Sequence, residues 1–391
     1  MLWNGIGIAI AVLASVTAWA MVVATLYFLR SRSIDRGESP APPEVDSSVR
    51  VSILKPIKGL DDRLERNLEA FLNLQSIAYE VLIGIGDRRD PAWPAIDRFL
   101  AAHPEAPMRV IFTDSPPDAH PKMSNLAGLE AQACGEILLV SDGNTCPPPD
   151  ALERLVASFA DPQIGLVAAP FLVRSPLTLG ARLRSLRIGT AIACSICGSY
   201  TLFKTPFVVG KWMAVRQQAL AEMGGFAALS GVMCADGLIY PKLRALGWRG
   251  AIVPQAIDVY LGPWSWRQAW SQQLRWSRHV RFVAPIETAV EFLWNGLFLG
   301  SLAIAFAWGG ATIAACALGA AGLGIWCAYA IAYVSLGGAA TDLLLLPIVD
   351  LQMLAIAVWA YASNEIQWRG RRFYIGPGGQ LERSESLDPT G

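Results

Sequence analysis

Four carboxylates in the middle of this chain stand where acid–base or metal chemistry would need them, at the ends of short apolar runs and beside glycine or a cation. Asp142 follows the run Ile137-Leu138-Leu139-Val140, within Ser141-Asp142-Gly143-Asn144-Thr145. A carboxylate there can share a divalent cation with a nucleotide diphosphate, and Asn144 can add a neutral oxygen, a setting that suits Mg2+ or Mn2+. Asp-Gly-Asn is equally an ordinary turn. Asp87 and Asp90 follow a second apolar run in Gly86-Asp87-Arg88-Arg89-Asp90. With Lys55 they could hydrogen-bond a base or a ribose, or they could simply shape a turn. Lys122 opens a helical stretch, where its ammonium and the amides of the helix start could meet a diphosphate; it could also be a surface lysine. Asp236 lies between an apolar stretch and a helix expected over 238–246, placed either to take a proton from a hydroxyl or to cap that helix.

These positions need a scaffold, and the pattern supplies one. Strands are expected at 51–54, 79–85, 108–113 and 137–140, with helices at 60–74, 93–102 and 123–133 between and before them. Strands alternating with helices predict an α/β domain with a mixed or mostly parallel sheet covered on both faces. Ligands of such sheets meet the loops at the carboxyl ends of the strands, where Asp87, Asp90 and Asp142 stand. Beyond Asp142, residues 177–207 are apolar with interspersed Arg182, Arg184 and Arg187, which suits either a membrane-proximal insertion or ordinary packing. The strand through Lys211 and Trp212 leads on to Asp236, and neither residue is given a catalytic role.

The chain is 53% hydrophobic and 16% charged, too apolar for a typical soluble enzyme. Residues 6–29 carry no charge, are long enough to cross a bilayer, and are followed by Arg30, Arg32 and Arg36, which predicts a cytosolic middle. Residues 292–341 are also uncharged, and 343–361 form a third apolar stretch after Asp342, with Asp350 inside it. The basic cluster Arg369, Arg371 and Arg372 predicts a cytosolic tail. Three late segments cannot all cross if both middle and tail are cytosolic, so one is expected to lie in the interface or to re-enter. The expected organisation is an anchor over 1–30, a linker over 31–50, the α/β domain over 51–282, interfacial and membrane helices over 283–362, and the tail over 363–391.

Equal numbers of acidic and basic residues, 32 each, and the absence of a basic domain give no support to a nucleic-acid partner. Seven cysteines with a lone Cys194-x-x-Cys197 pair fit packed thiols better than zinc or disulfides. Around Gln272-Gln273-Leu274-Arg275-Trp276 the chain is rich in tryptophan and arginine, a composition that also suits a helix lying among lipid headgroups.

Taken together, Val51 to Gly59, the acidic strand end at Asp87 to Pro91, Pro121 to Leu126, Asp142, Asp236 and the Gln272–Trp276 element resemble the inverting glycosyltransferases with a nucleotide-diphosphosugar-binding fold, particularly the ceramide glucosyltransferase family. The resemblance covers about residues 51–282, with membrane segments on either side in the expected order. It implies that Asp87 and Asp90 serve the uridine of the donor, that Asp142 is the metal-associated aspartate, and that Asp236 is the catalytic carboxylate. It also implies that Gln272, Arg275 and Trp276 border the donor diphosphate and the acceptor channel.

Two positions depart from the family pattern. Asn144 stands where many relatives carry a second aspartate, and Ala235 precedes Asp236 where an acidic residue is frequent. The implied reaction is transfer of glucose from UDP-glucose, or another sugar from its UDP donor, to the primary hydroxyl of ceramide or a related sphingolipid, with inversion. A hopanoid, diacylglycerol or polyprenyl acceptor, or a noncatalytic membrane scaffold, are the alternative readings. The implied place is a bacterial inner membrane with the catalytic domain facing the cytosol; the oligomeric state is not implied.

Overall fold

The computed structural model describes residues 2–30, 49–60, 63–75, 77–116, 118–368 and 371–386. Most of the linker, with Arg32 and Arg36, and also Arg369, on which the expected orientation partly rests, lie outside the described residues. The chain divides into two units, one built from residues 1–30, 176–202 and 263–364 and the other from 31–175, 203–262 and 365–391.

The second unit is the α/β domain. Its strands are β1 (Arg50–Pro56), β2 (Ala78–Ile85), β3 (Met108–Phe112), β4 (Ile137–Ser141), β5 (Thr145–Cys146), β6 (Ile164–Ala168), β7 (Phe171–Arg174), β8 (Trp212–Arg216), β9 (Arg249–Ile252) and β10 (Ile257–Tyr260). The main sheet has seven strands in the order β3-β2-β1-β4-β8-β6-β9. Strands β1 to β4 are parallel, whereas β8 runs antiparallel to both β4 and β6, so the sheet is mixed. Every residue of β4 is buried, as a strand covered on both faces requires. Its four aliphatic side chains each contribute on the order of 1.5–3 kcal/mol by leaving water. Strands β5, β10 and β7 form a small second sheet.

The four expected strands coincide with β1 to β4, the third ending one residue earlier than expected, at Phe112. The helix expected over 60–74 is shorter, Leu64–Glu69, because Phe71 and Leu72 donate to Leu68 and Glu69, tightening the chain into turns. The helices Trp93–Ala102 and Pro121–Glu130 lie where the pattern predicts them. After Ala362, the stretch expected as a tail forms a three-stranded antiparallel sheet of β11 (Glu365–Trp368), β12 (Arg371–Ile375) and β13 (Leu381–Ser386).

The first unit is helical. Four helices are long and apolar enough to cross a membrane: Leu2–Arg30, Leu179–Phe203, Thr312–Ser335 and Ala340–Ala362. Gly296–Trp308 is apolar but shorter. Small residues let the backbones approach, as membrane helices require. A Cβ added at Gly7 would meet the Ala314 side chain at 2.4 Å, and one at Gly198 would meet the Met21 carbonyl at 2.8 Å. Outward-facing Val12, Val16, Val23, Ile313, Leu323 and Val358 remain exposed, an apolar surface that suits lipid. The chain therefore reads as an integral membrane protein.

Several polar groups inside this unit are paired. Asp342 is 2% exposed and accepts from Arg182 Nε at 2.5 Å and from Tyr333 Oη at 2.7 Å. Asp350 is also buried and faces protein: its carboxylate accepts from Trp326 Nε1 at 2.8 Å and from the Leu297 amide at 3.2 Å. Arg187 forms an ion pair with Glu291. Cys194 and Cys197 are buried free thiols.

Candidate active site

The site residues of the α/β unit gather at one end of the main sheet, for a reason of strand direction. Strands β1, β2 and β4 end there, and β8, running the other way, begins there: Ser141 of β4 is paired with Trp212 of β8. Lys211, the residue before β8, is thereby brought beside Asp142, the residue after β4. Its ammonium donates to Asp142 Oδ2 at 2.7 Å and to Asn144 Oδ1 at 3.1 Å.

Lys122 arrives from a different element. The helix Pro121–Glu130 begins with Pro at its first position and is capped by His120, whose ring nitrogen accepts from the Met123 amide at 3.3 Å. That start aims Lys122 Nζ at three oxygens: the Gly210 carbonyl at 2.7 Å, Asp142 Oδ1 at 3.1 Å and Asp236 Oδ2 at 3.4 Å. Burial works against its charge, but the carboxylates of Asp142 and Asp236 hold the Lys122 pKa above the ordinary lysine value. Burial likewise works against ionised Asp142, and Lys122 and Lys211 outweigh it, keeping that carboxyl well below the usual carboxylate range.

Asp236 sits in the first turn of the helix Ala235–Ala245. The cap position is Cys234, which makes no side-chain cap bond, so Asp236 is not the helix cap that its position also allowed. One carboxylate oxygen reaches Lys122; the other, Oδ1, is buried and has no hydrogen-bond partner. The close approach needs a glycine, because a Cβ at Gly210 would lie 2.4 Å from Asp236 Oδ2 and 2.5 Å from Oδ1. Burial, with Asp236 adding to it, pushes the neighbouring Cys234 thiol up to about 12, so it stays protonated at neutral pH.

The other expected donor residues divide into two roles. Lys55 is fully buried, and its ammonium donates to the Asp142 carbonyl at 2.9 Å and stands 4.1 Å from the centre of the Phe71 ring. It supports the Asp142 turn from beneath. Asp90 accepts from the Gly59 amide at 2.9 and 3.1 Å and from the Ala92 amide at 2.9 Å, which ties the loop after β1 to the loop after β2. Gly59 has φ +76°, a conformation open to glycine. Asp87, by contrast, is exposed and paired with Arg89, at 3.0 Å, whose hydrogen bonds hold its carboxyl below the usual range. Of the two, Asp87 has the more accessible carboxylate.

Asp142 and Asn144, expected as the metal pair, do not fit a divalent cation as arranged. The Lys211 ammonium bridges the two side chains, and Lys122 takes the remaining Asp142 oxygen. Among the described residues no group of three or more His, Cys, Asp or Glu side chains could hold a metal.

Gln272, Arg275 and Trp276 belong to the helical unit, on the helix Trp266–Val283, which starts with a capping box between Ser265 and Gln268. Within this motif Gln273 is buried and accepts from Arg184 Nη1 at 2.8 Å. The Arg184 guanidinium also stands 3.9 Å from the centre of the Trp276 ring, a cation–π contact. Gln272 and Arg275 are partly buried on the same helix. Sequence reasoning missed Lys211, Gly210 and Arg184; the signal for Lys211 lay in its place one residue before a strand, but the direction of that strand was not readable.

A profile of glycosyl transferase family 21 matches residues 11–381. The chain belongs to that family. Ceramide glucosyltransferase 3 of Caenorhabditis elegans is 25% identical over 211 residues, 53% of this chain and 45% of that protein. Ceramide glucosyltransferase 1 of the same organism is 23% identical over 213 residues, 52% of this chain and 43% of that one. The family 21 chain thus matches less than half the length of each of these two relatives. Among solved structures, the mannosyltransferase PcManGT from Pyrobaculum calidifontis, in complex with GDP-Man and Mn2+, is 18% identical, with a TM-score of 0.48, covering 91% of this chain and 99% of that one.

Proposed function

We propose that this family 21 chain is an inverting, nucleotide-sugar-dependent lipid glycosyltransferase, moving one glucose from UDP-glucose to the primary hydroxyl of ceramide or a related sphingolipid. The observation that carries the reading is the Asp236 carboxylate, anchored through Oδ2 to Lys122 with Oδ1 unpartnered. A carboxylate held in that way can accept the proton of an acceptor hydroxyl. The hydroxyl oxygen then forms the new bond to the anomeric carbon as the bond to the diphosphate breaks. The electron pair of that bond leaves on the diphosphate oxygen, and Lys122 and Lys211 supply positive charge on the side where it develops. Attack opposite the leaving group inverts the anomeric centre, so an α-linked donor gives a β-glucosyl lipid and UDP.

Membership of the family, the ceramide glucosyltransferases among its relatives, and four apolar helices of membrane-spanning length support a lipid acceptor. Asp87 serves the uridine in this reading, and Gln272, Arg275 and Trp276 enter as donor residues on the strength of their motif. UDP-sugars are cytosolic metabolites, which suits a catalytic unit on the cytosolic face of a bacterial inner membrane.

The test is mass spectrometry of products from the purified chain in detergent, offered a mixture of UDP-sugars and a panel of ceramide, diacylglycerol, polyprenyl and hopanoid acceptors. One hexose added to ceramide from UDP-glucose supports the full reading. Labelling of another lipid keeps the transfer chemistry and replaces the acceptor, and no product from any pair counts against transfer.

A further inference from the structure

The pair Asp142 and Asn144 already holds a cation, and it is part of the chain. Lys211 Nζ sits 2.7 Å from the carboxylate and 3.1 Å from the amide oxygen. Lys122 Nζ is 3.1 Å from the other carboxylate oxygen, and Lys55 Nζ is 2.9 Å from the Asp142 carbonyl. A divalent ion entering here would have to displace Lys211 and would add its charge to a neighbourhood that already sets three ammonium groups, Lys55, Lys122 and Lys211, against the two carboxylates of Asp142 and Asp236. Like charges at such distances repel strongly where water is scarce, and the Lys211 and Lys122 side chains are only 14% and 12% exposed.

Charge counting gives the same answer. Two carboxylates and a divalent ion sum to zero, and so do the carboxylate of Asp142, the amide of Asn144 and the ammonium of Lys211; Lys122, which also reaches Asp142, is matched by Asp236. Asparagine at 144 is therefore matched to lysine at 211: the amide still offers an oxygen to aim the ammonium but brings no second negative charge.

We infer that Lys211 is the resident cation of this site, oriented by Asp142 and Asn144 to bind and neutralise the donor diphosphate where a divalent metal ion would otherwise serve. This rests on the donor reading above. As the anomeric carbon–oxygen bond breaks, its electron pair passes to the diphosphate oxygen, which Lys211 meets as a hydrogen-bond donor without giving up a proton. The strand arrangement makes the lysine a fixed one, since Lys211 is tied by its own amide to the Val209 carbonyl at 2.7 Å and is followed directly by β8.

The experiment uses the full chain in detergent and reads UDP binding by calorimetry, with chelator or with Mn2+, alongside the electron paramagnetic resonance signal of free Mn2+. Wild type should bind UDP equally, within about twofold, in both conditions, and should leave the free Mn2+ signal unchanged. Lys211→Ala should weaken UDP by about tenfold or more, the loss of one charge-assisted contact. In Lys211→Ala combined with Asn144→Asp, UDP affinity should recover with Mn2+ alone, with the free Mn2+ signal falling as the ion binds. Thermal melts confirm that each variant is folded.

UDP binding that tightens tenfold with Mn2+ in wild type, with one ion bound per chain, overturns the inference and leaves the transfer reading intact. So does a folded Lys211→Ala chain with unchanged UDP affinity, because a merely structural lysine would behave in that way. UDP bound without metal but with no sugar transferred to any lipid would instead sink the transfer reading alone.

Discussion

Lys122 and Asp236 face each other at 3.4 Å, and the Asp236 oxygen turned away from the lysine has no hydrogen-bond partner. Lysine orients the carboxylate and leaves one acceptor oxygen unpartnered. Asp236→Asn keeps the shape and removes the base. Turnover should fall by about 10²–10⁴, while UDP affinity stays within about twofold of wild type by calorimetry. An unchanged turnover number would remove Asp236 from the chemistry.

Gly210→Ala tests position rather than chemistry. The new Cβ would press on the Asp236 carboxyl, a short side chain that can rotate away, so the melting temperature should move little. A displacement of about an ångström can cost on the order of a hundredfold in rate. Steady-state kinetics should show a fall in kcat with UDP-sugar KM preserved.

The charge cluster gives acid stability a defined window. Asp142 has a folded pKa below its unfolded value near 3.8. Its ion pairs therefore stabilise the fold above that value, and the contribution disappears as pH falls through the folded pKa. Thermal melts of wild type and Asp142→Asn should differ by a constant amount from neutral pH down to about pH 5 and should converge in stronger acid. The plateau should lie below the roughly 3–5 kcal/mol of a fully buried pair, because the Asp142 side chain is 27% exposed. Lys122, raised instead, contributes below the ordinary lysine value of 10.5 and loses its contribution only as pH climbs beyond its folded pKa.

In the helical unit, Asp342→Ala strips Arg182 and Tyr333 of their shared partner. Breaking one side of a fully buried pair costs about 3–5 kcal/mol, and the loss here should lie below that because the Arg182 side chain is 34% exposed. The double variant Arg182→Met, Asp342→Ala should be more stable than Asp342→Ala alone, as measured by thermal unfolding in detergent. Tyr333→Phe, which removes a hydrogen bond to a carboxylate, should cost about 1.5–3 kcal/mol.

The carboxyl-terminal sheet is joined to the loop that precedes Asp236. Met233 donates to the Gly379 carbonyl at 2.9 Å, Leu381 donates to the Gly231 carbonyl at 2.8 Å, and Val232 bridges Gln380. Truncation before Gly376 removes all three contacts. The shortened chain should lose transfer while UDP still binds, and full activity in it would show that the loop holds its shape unaided.

The parts of this protein that were legible in its sequence are those fixed by local pattern. β1 to β4 announce themselves as apolar runs with polar ends, and Asp142 and Asp236 as carboxylates at element boundaries. What pattern cannot carry is strand direction: β8 follows a long helical excursion, and only its antiparallel pairing with β4 turns Lys211 into the neighbour of Asp142. Burial was similarly hidden. Lys55 reads as a donor ligand because lysine is expected near water, yet the Asp142 carbonyl and the Phe71 ring together accommodate it inside. The stretch after Ala362 reads as a tail because short strands rich in arginine and glutamate lack a hydrophobic period; they pair with one another, and the loop at 231–233 adds a bridge from a distance.

The pairing of β4 with β8 also decides the sidedness of a helix. Both strands hydrogen-bond in one sheet, so the polypeptide that departs after β7 and returns at β8 must leave and re-enter the same aqueous compartment. Leu179–Phe203 has the length and apolarity of a bilayer crossing, but it cannot be one. A hydropathy count that accepted it would assign the two strands of a single ladder to opposite faces of the membrane. The bonds from residues 231–233 to the last strands impose the same even parity on everything between 263 and 364.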